Sequence, residues 1–125
     1  MILDTCGLIW FASGREDLSR EAMDAIDAAD LVYVSAISAF EIGFGYAIGD
    51  LDLPCDPEKW YLDVLAQHGI SEVPVDGKAA MASTKLPLIH RDPCDRIIIA
   101  TAKLLHLSMV TGDERFREYG VEILK

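Results

Sequence analysis

Short β-rich apolar runs alternate along the chain with stretches of helical periodicity, the pattern a parallel α/β sheet produces. Ile2 and Leu3 predict a first strand cut very short, with the natural start a few residues upstream. Residues 31–35, 72–75, 108–111 and 121–124 predict four further strands, each bounded by turn or polar residues. Residues 19–29 predict a helix with Ala22, Met23, Ile26 and Ala29 on one face. Asp56-Pro57 pairs a capping residue with a proline at the first helical position, and Trp60, Tyr61, Val64 and Leu65 then recur at helical spacing until Gly69. Asp92-Pro93 repeats that signal before the longest apolar helix, which runs through 97–105, and Gly120 closes a last short helix.

Residues 40–48 alternate large apolar side chains with period two, yet Ser38 opens the segment as a helix cap would, and a helix is the reading adopted. Its aromatics fall on several faces, more apolar surface than one core needs, which predicts a homodimer.

With 125 residues, 51% of them hydrophobic and 26% charged, the chain is expected to form a single domain over 1–125 rather than a disordered tail. No apolar run reaches the length of a membrane span, since Glu41, Asp95 and Arg96 interrupt the best candidates. The start Met1-Ile2-Leu3-Asp4 has no basic region ahead of an apolar one, so no signal peptide is expected and the protein is predicted to be cytoplasmic. Cys6, Cys55 and Cys94 are odd in number and far apart, which suits a reducing compartment better than a disulfide framework or a Cys6, His90, Cys94 metal site. The net charge of -10 argues against a sequence-wide nucleic-acid footprint. That excess lies wholly in residues 1–63, with 13 acids against the 3 bases Arg15, Arg20 and Lys59, so a polyanion is expected to meet the balanced second half.

Four acids fall in unusual places. Asp4 follows the first strand, Glu41 lies in the first turn of the helix after the second, Asp95 in the first turn after Asp92-Pro93, and Asp113 after the fourth strand. An open parallel sheet puts its ligands beyond the carboxyl ends of its strands, so all four can reach one edge. Each also has a plain structural use. Ser38-x-x-Glu41 matches a capping box, Asp92-x-x-Asp95 imitates one, Asp4 could serve a turn, and Asp113 could cap the helix containing Phe116. Convergence of all four favours chemistry, because clustered carboxylates repel unless a cation neutralises them. A hard divalent ion, Mg²⁺ or Mn²⁺, suits such a donor set better than zinc.

Leu3-Asp4-Thr5, S-A-I-S-A-F-E-I at 35–42, H-R-D-P-C-D-R-I-I-I-A-T-A at 90–102 and T-G-D-E-R-F at 111–116 resemble, in order, the motifs of the PIN-domain ribonucleases. Within that superfamily the chain is most similar to the VapC toxins of bacterial type II toxin-antitoxin pairs. The resemblance implies a five-stranded parallel sheet flanked by helices on both faces, and Mg²⁺-dependent cleavage of single-stranded or looped RNA. It implies Asp4, Glu41, Asp95 and Asp113 as the acidic, metal-holding and catalytic site, with Thr5 or Thr111 helping to orient water. His90, Arg91 and Arg96 would bind phosphate near the scissile bond, and the partner would be a VapB-like antitoxin. Two positions depart from the pattern: Cys6 stands where such proteins often carry His, and 42–52 holds none of the bases often found there.

Other chemistries on this fold lack their residues. A receiver-like phosphoacceptor needs an acidic pair after the first strand, and a haloacid-dehalogenase-like phosphotransferase needs an Asp where Cys6 stands. The remaining alternative is a non-catalytic interaction module of the same fold.

Overall fold

The structure, a computed structural model, describes residues 1–14 and 17–125; Arg15, one of the few bases of the first half, lies outside the described residues. In chain order the elements are β1 (Ile2–Leu3), α1 (Thr5–Ser13), α2 (Arg20–Ala28), β2 (Tyr33–Ser35), α3 (Ile37–Ala47), α4 (Pro57–His68) and β3 (Ser71–Val73). They continue with α5 (Gly77–Thr84), α6 (Pro93–Leu104), β4 (Met109–Val110), a 3₁₀ helix (Glu114–Tyr119) and β5 (Ile123–Leu124). The five strands form one parallel sheet in the order β3-β2-β1-β4-β5. All five expected strands are present: β1 with the expected bounds, β2, β4 and β5 two residues shorter, and β3 starting one residue earlier and ending two earlier than expected.

The short central strand sets both cores. Ile2 pairs with Tyr33 and Met109, Leu3 with Val34 and Val110. Successive side chains on a strand point to opposite faces. Leu3 therefore enters a core with Leu8, Ala22, Ile26, Val34, Ile42 and Val64, and Ile2 enters one with Ile98, Ile99, Ala102, Met109, Phe116 and Tyr119. The sheet is flanked by helices on both faces, as the resemblance implied.

The predicted caps hold α4 and α6, and the structure adds one at α2. Ser19 Oγ accepts the Ala22 N–H at 3.0 Å. Asp56 accepts the N–H groups of Glu58 and Lys59 ahead of Gly69, which ends α4 in the left-handed region at φ 64°. Residues 40–48 do belong to a helix, α3, but it starts at Ile37 with Ala36 at the cap and no side-chain capping bond. Ser38 is thus inside the first turn and caps nothing, which overturns the capping-box reading of Ser38 and Glu41.

Two helices, α1 and α5, have no counterpart among the expected elements. α1 is apolar on most sides (Cys6, Leu8, Ile9, Trp10, Phe11), and α5 is built from Ala, Ser and Thr, so neither shows a stripe of helical period. Among the described residues no helix is long and apolar enough to cross a membrane.

Candidate active site

Asp4 leaves β1 and immediately caps α1: its Oδ1 accepts the Gly7 N–H at 2.7 Å, while its own N–H donates to Val110 O at 3.1 Å. The side chain also hydrogen-bonds Thr111 at the end of β4, a residue with no exposed surface. Burial nonetheless holds the Asp4 carboxyl above its ordinary pKa, with the Asp113 charge adding to the effect. Gly7 is dictated by this packing. A Cβ there would sit 2.7 Å from Val110 O and 3.0 Å from Asp4 Oδ1. Gly7→Ala is expected to cost roughly 1–3 kcal/mol of stability through this overpacking and to push the Asp4 carboxylate out of place. Urea unfolding measures the first effect, and an unchanged midpoint would refute it.

The segment H-R-D-P-C-D-R divides its work residue by residue. Asp92 caps α6 by accepting the N–H groups of Cys94 and Asp95 at 2.8 and 3.4 Å, and Pro93 takes the first helical position. The Asp92 N–H donates to His90 Nδ1 at 3.2 Å, so Asp95 does not close a capping box and its carboxylate is left for the cleft. The other ring nitrogen, His90 Nε2, lies 3.1 Å from Arg115 Nη2. It faces Asp95 Oδ2 at 3.1 Å and Asp113 Oδ2 at 3.3 Å. The ring is nearly buried, set edge-on to Phe116 at 5.6 Å, and the His90 N–H donates to the Tyr119 hydroxyl at 2.7 Å. His90 is therefore committed to the acids, not held out toward a phosphate. Arg91 is exposed at the mouth of α6.

Arg96 corrects the sequence expectation. Its guanidinium is buried, with Nη1 donating to the carbonyls of Pro87 (2.8 Å) and His90 (3.1 Å), and Nη2 to those of Ser83 and Leu86 (both 2.8 Å). Every one of those donors is spent on the turn from α5 to α6. The buried head is not among the residues that line the cleft described below.

Asp4, Asp95 and Asp113 line one open cleft of about 480 Å³, together with Cys6, Trp10, Gly112, Glu114, Arg115 and Phe116. Glu41 stands at its margin, one turn inside α3, where its Oε1 accepts the Thr5 hydroxyl at 2.6 Å and Thr5 Oγ1 shares a further bond with Ser38 Oγ at 2.9 Å. Burial raises the pKa of Glu41, with Asp92 and Asp4 adding repulsion. Asp95 is pushed up to about 7, first by burial and then by the charges of Asp92, Glu41, Asp4 and Asp113. Asp113 goes the other way, down to about 2, because Arg115 binds it through Nε and Nη2 at 3.0 and 2.7 Å. Asp113 also caps the 3₁₀ helix through the Arg115 N–H.

Among the described residues one set of ligand atoms lies within 4.8 Å of one another, from Glu41, Asp92 and Cys94. The Cys94 thiol is pushed up to about 11 by burial and then by Glu41, Asp92 and Asp95, so at neutral pH it is protonated and its two neighbours supply the useful donors. Asp92 was expected only as a cap, yet its charge reaches both Glu41 and Asp95. The Cys6, His90, Cys94 grouping does not form such a set among the described residues. The donor chemistry on this edge is carboxylate oxygen carrying mutual repulsion, which fits a hard divalent cation.

Arg115 and Trp10 are cleft residues that patterning did not single out as strong candidates. Arg115 had a signal, a base two residues beyond Asp113. Trp10 had none, because α1 itself was not read as a helix.

The family profile described as PIN domain matches residues 1–122. The chain is 32% identical over 120 residues to Ribonuclease VapC22 of Mycobacterium tuberculosis (strain ATCC 25618 / H37Rv), covering 95% of this chain and 91% of that protein. A toxin-antitoxin complex from Klebsiella pneumoniae contains a chain of like fold, with TM-score 0.69 and 21% identity over 99% of this chain and 95% of that one. VapBC2 from Rickettsia felis, bound to a DNA fragment from its promoter, gives TM-score 0.70 and 14% identity over 100% and 98% of the two chains.

Proposed function

Because the chain belongs to the PIN-domain family, in its VapC branch, we propose that it is the toxin of a toxin-antitoxin pair, an endoribonuclease that hydrolyses RNA phosphodiesters with Mg²⁺ or Mn²⁺. The observation that carries this reading is the gathering of Asp4, Asp95 and Asp113 in one cleft with Glu41 at its margin, all beyond the carboxyl ends of the strands. Asp4, Glu41, Asp95 and Asp113 hold the cation. When bound it offsets charge developing on the phosphate and makes water a better nucleophile at neutral pH. Thr5 fixes the Glu41 carboxylate and Thr111 that of Asp4, so two ligands are oriented before anything binds. His90 aligns Asp95 with Asp113. Arg115, more than half exposed, neutralises Asp113 at rest and is the base best placed to turn onto a substrate phosphate; Arg91 is exposed and is not among the residues that line the cleft.

What supports catalysis over a purely interacting module is that three of the acids are held above their ordinary pKa by burial and one another, a cost an interaction surface has no reason to carry. The test is cleavage of single-stranded RNA in Mg²⁺ or Mn²⁺. Cutting is expected with either ion and is expected to stop in EDTA; undiminished cutting in EDTA would end the metal-dependent reading.

The rest of the reading concerns assembly. A chain of net charge -10 steers RNA poorly, whereas a cationic antitoxin segment would find in the acidic cleft what the cation otherwise satisfies. On α3, Phe40 and Phe44 are each more than half exposed and stack at 5.7 Å, with Tyr46 and Ile48 exposed beside them. This face pairs two copies into a homodimer. Light scattering is expected to give twice the monomer mass, and Phe40→Glu with Phe44→Glu to return it to one. A wild-type mass that stays monomeric at micromolar concentration would overturn the dimer. Cys6, Cys55 and Cys94 are all free, in keeping with a cytoplasmic setting.

A further inference from the structure

We infer that Trp10 is a stacking platform for one unpaired base of the RNA, next to the scissile phosphate, and so sets base preference at that position. The inference rests on the ribonuclease reading above and adds a residue and a substrate feature to it. α1 begins at its Asp4 cap and presents Cys6 and Trp10, four residues apart and therefore on one face, to the cleft that Asp95 and Asp113 also line. Six residues of helix separate Asp4 from Trp10, about 9 Å of rise, so a base lying on the indole belongs to a nucleotide beside the cut.

The indole is held there by a glycine. A Cβ on Gly112 would stand 2.6 Å from Cη2 and 2.9 Å from Cζ3 of Trp10, so the ring lies against bare backbone one residue before Asp113. Trp10 is only partly buried, and among the described residues no hydrogen bond ties down its indole N–H. Trp10 packs in part against the first core and keeps its remaining surface on a cleft otherwise lined mainly by charged residues. Electrostatics supplies the need for it. The cleft is acidic and the chain carries -10, so phosphate contacts contribute little attraction. Base–aromatic stacking is indifferent to that charge and is worth roughly ten- to a hundredfold in affinity per base.

The experiment cuts a random pool of single-stranded RNA in Mg²⁺ and sequences the product ends. Wild type is expected to favour purines at one position beside the cut, Trp10→Phe to keep that preference, and Trp10→Leu to lose about tenfold of it. An unaltered profile in Trp10→Leu, or a fall in rate that is equal for all sequences, would overturn the proposal, the second outcome being that of a merely structural tryptophan. Should Trp10→Leu fail to fold, emission from Trp10 in a Trp60→Phe background decides: quenching by the pool supports stacking, and its absence overturns it. A wild type that cuts no RNA in Mg²⁺ or Mn²⁺ defeats the ribonuclease reading itself, and this inference with it, which separates the two failures.

Discussion

Asp95→Asn is expected to abolish RNA cleavage, by about a thousandfold or more, while making the metal-free protein more stable. The first half follows from removing a carboxylate that, on the function proposed above, holds the cation. The second follows from linkage. In the fold the Asp95 carboxyl has a pKa of about 7, against an ordinary 3.8, because burial and then Asp92, Glu41, Asp4 and Asp113 oppose its charge. A carboxyl raised on folding takes up protons more tightly in the folded state. Its ionisation therefore leaves stability untouched below about pH 4, erodes it as pH rises toward 7, and costs the full amount above. A rise of about 3 pH units corresponds nominally to ~4 kcal/mol, but the side chain keeps about a quarter of its surface in an open cleft. Solvent screening reduces the cost to about 1–2 kcal/mol. In EDTA, melting temperature should fall for wild type between pH 5 and pH 8 and fall less for Asp95→Asn, which should melt several degrees higher at pH 8. Parallel curves for the two proteins would refute the proposed repulsion, and an active Asp95→Asn would refute the site.

Arg96→Ala should be the most damaging single substitution away from the cleft, costing about 3–5 kcal/mol and leaving little folded protein if the starting margin is ordinary. Its guanidinium meets carbonyls of Ser83, Leu86, Pro87 and His90, so truncation strands four acceptors and opens a hole between α5 and α6. Carbonyl dipoles, not a carboxylate, balance its charge there. Arg96→Lys keeps the charge but not the planar fork, and should recover about half of the loss. Chemical denaturation checks both. A wild-type midpoint for Arg96→Ala would show that the turn holds itself. Cleavage by surviving Arg96→Lys should keep the salt dependence of wild type, since this residue does not meet RNA.

These two residues, one position apart in the sequence, mark the boundary of what patterning could reach. The five strands and the caps at Asp56 and Asp92 were legible because each is a local event, an apolar run or an oxygen beside a free N–H. The four acids were legible as a group because parallel strands deliver their ends to one edge. The direction of a side chain was not. Arg96 follows Asp95 and looked like a second cleft residue, yet on a helix adjacent positions diverge by about 100°, and the neighbour of a site residue is turned into the core. Ser38 looked like a cap because Glu41 follows it three positions on, but the observed cap is Ala36, two residues earlier. α1 escaped notice because a helix wedged between a sheet and a cleft is apolar all round, and with it went Trp10.

The strand order also carries a clock. β1 precedes the other strands of the sheet, and its partners on either side are β2 and β4, the latter at Met109–Val110. At roughly 5–20 residues per second of translation, the opening strand waits on the order of 5–20 s for that neighbour. A product broken off before Met109 contains Asp4, Glu41 and Asp95 but neither the strand that seats β1 nor Asp113. The site proposed above therefore cannot assemble until the chain has been made through Asp113.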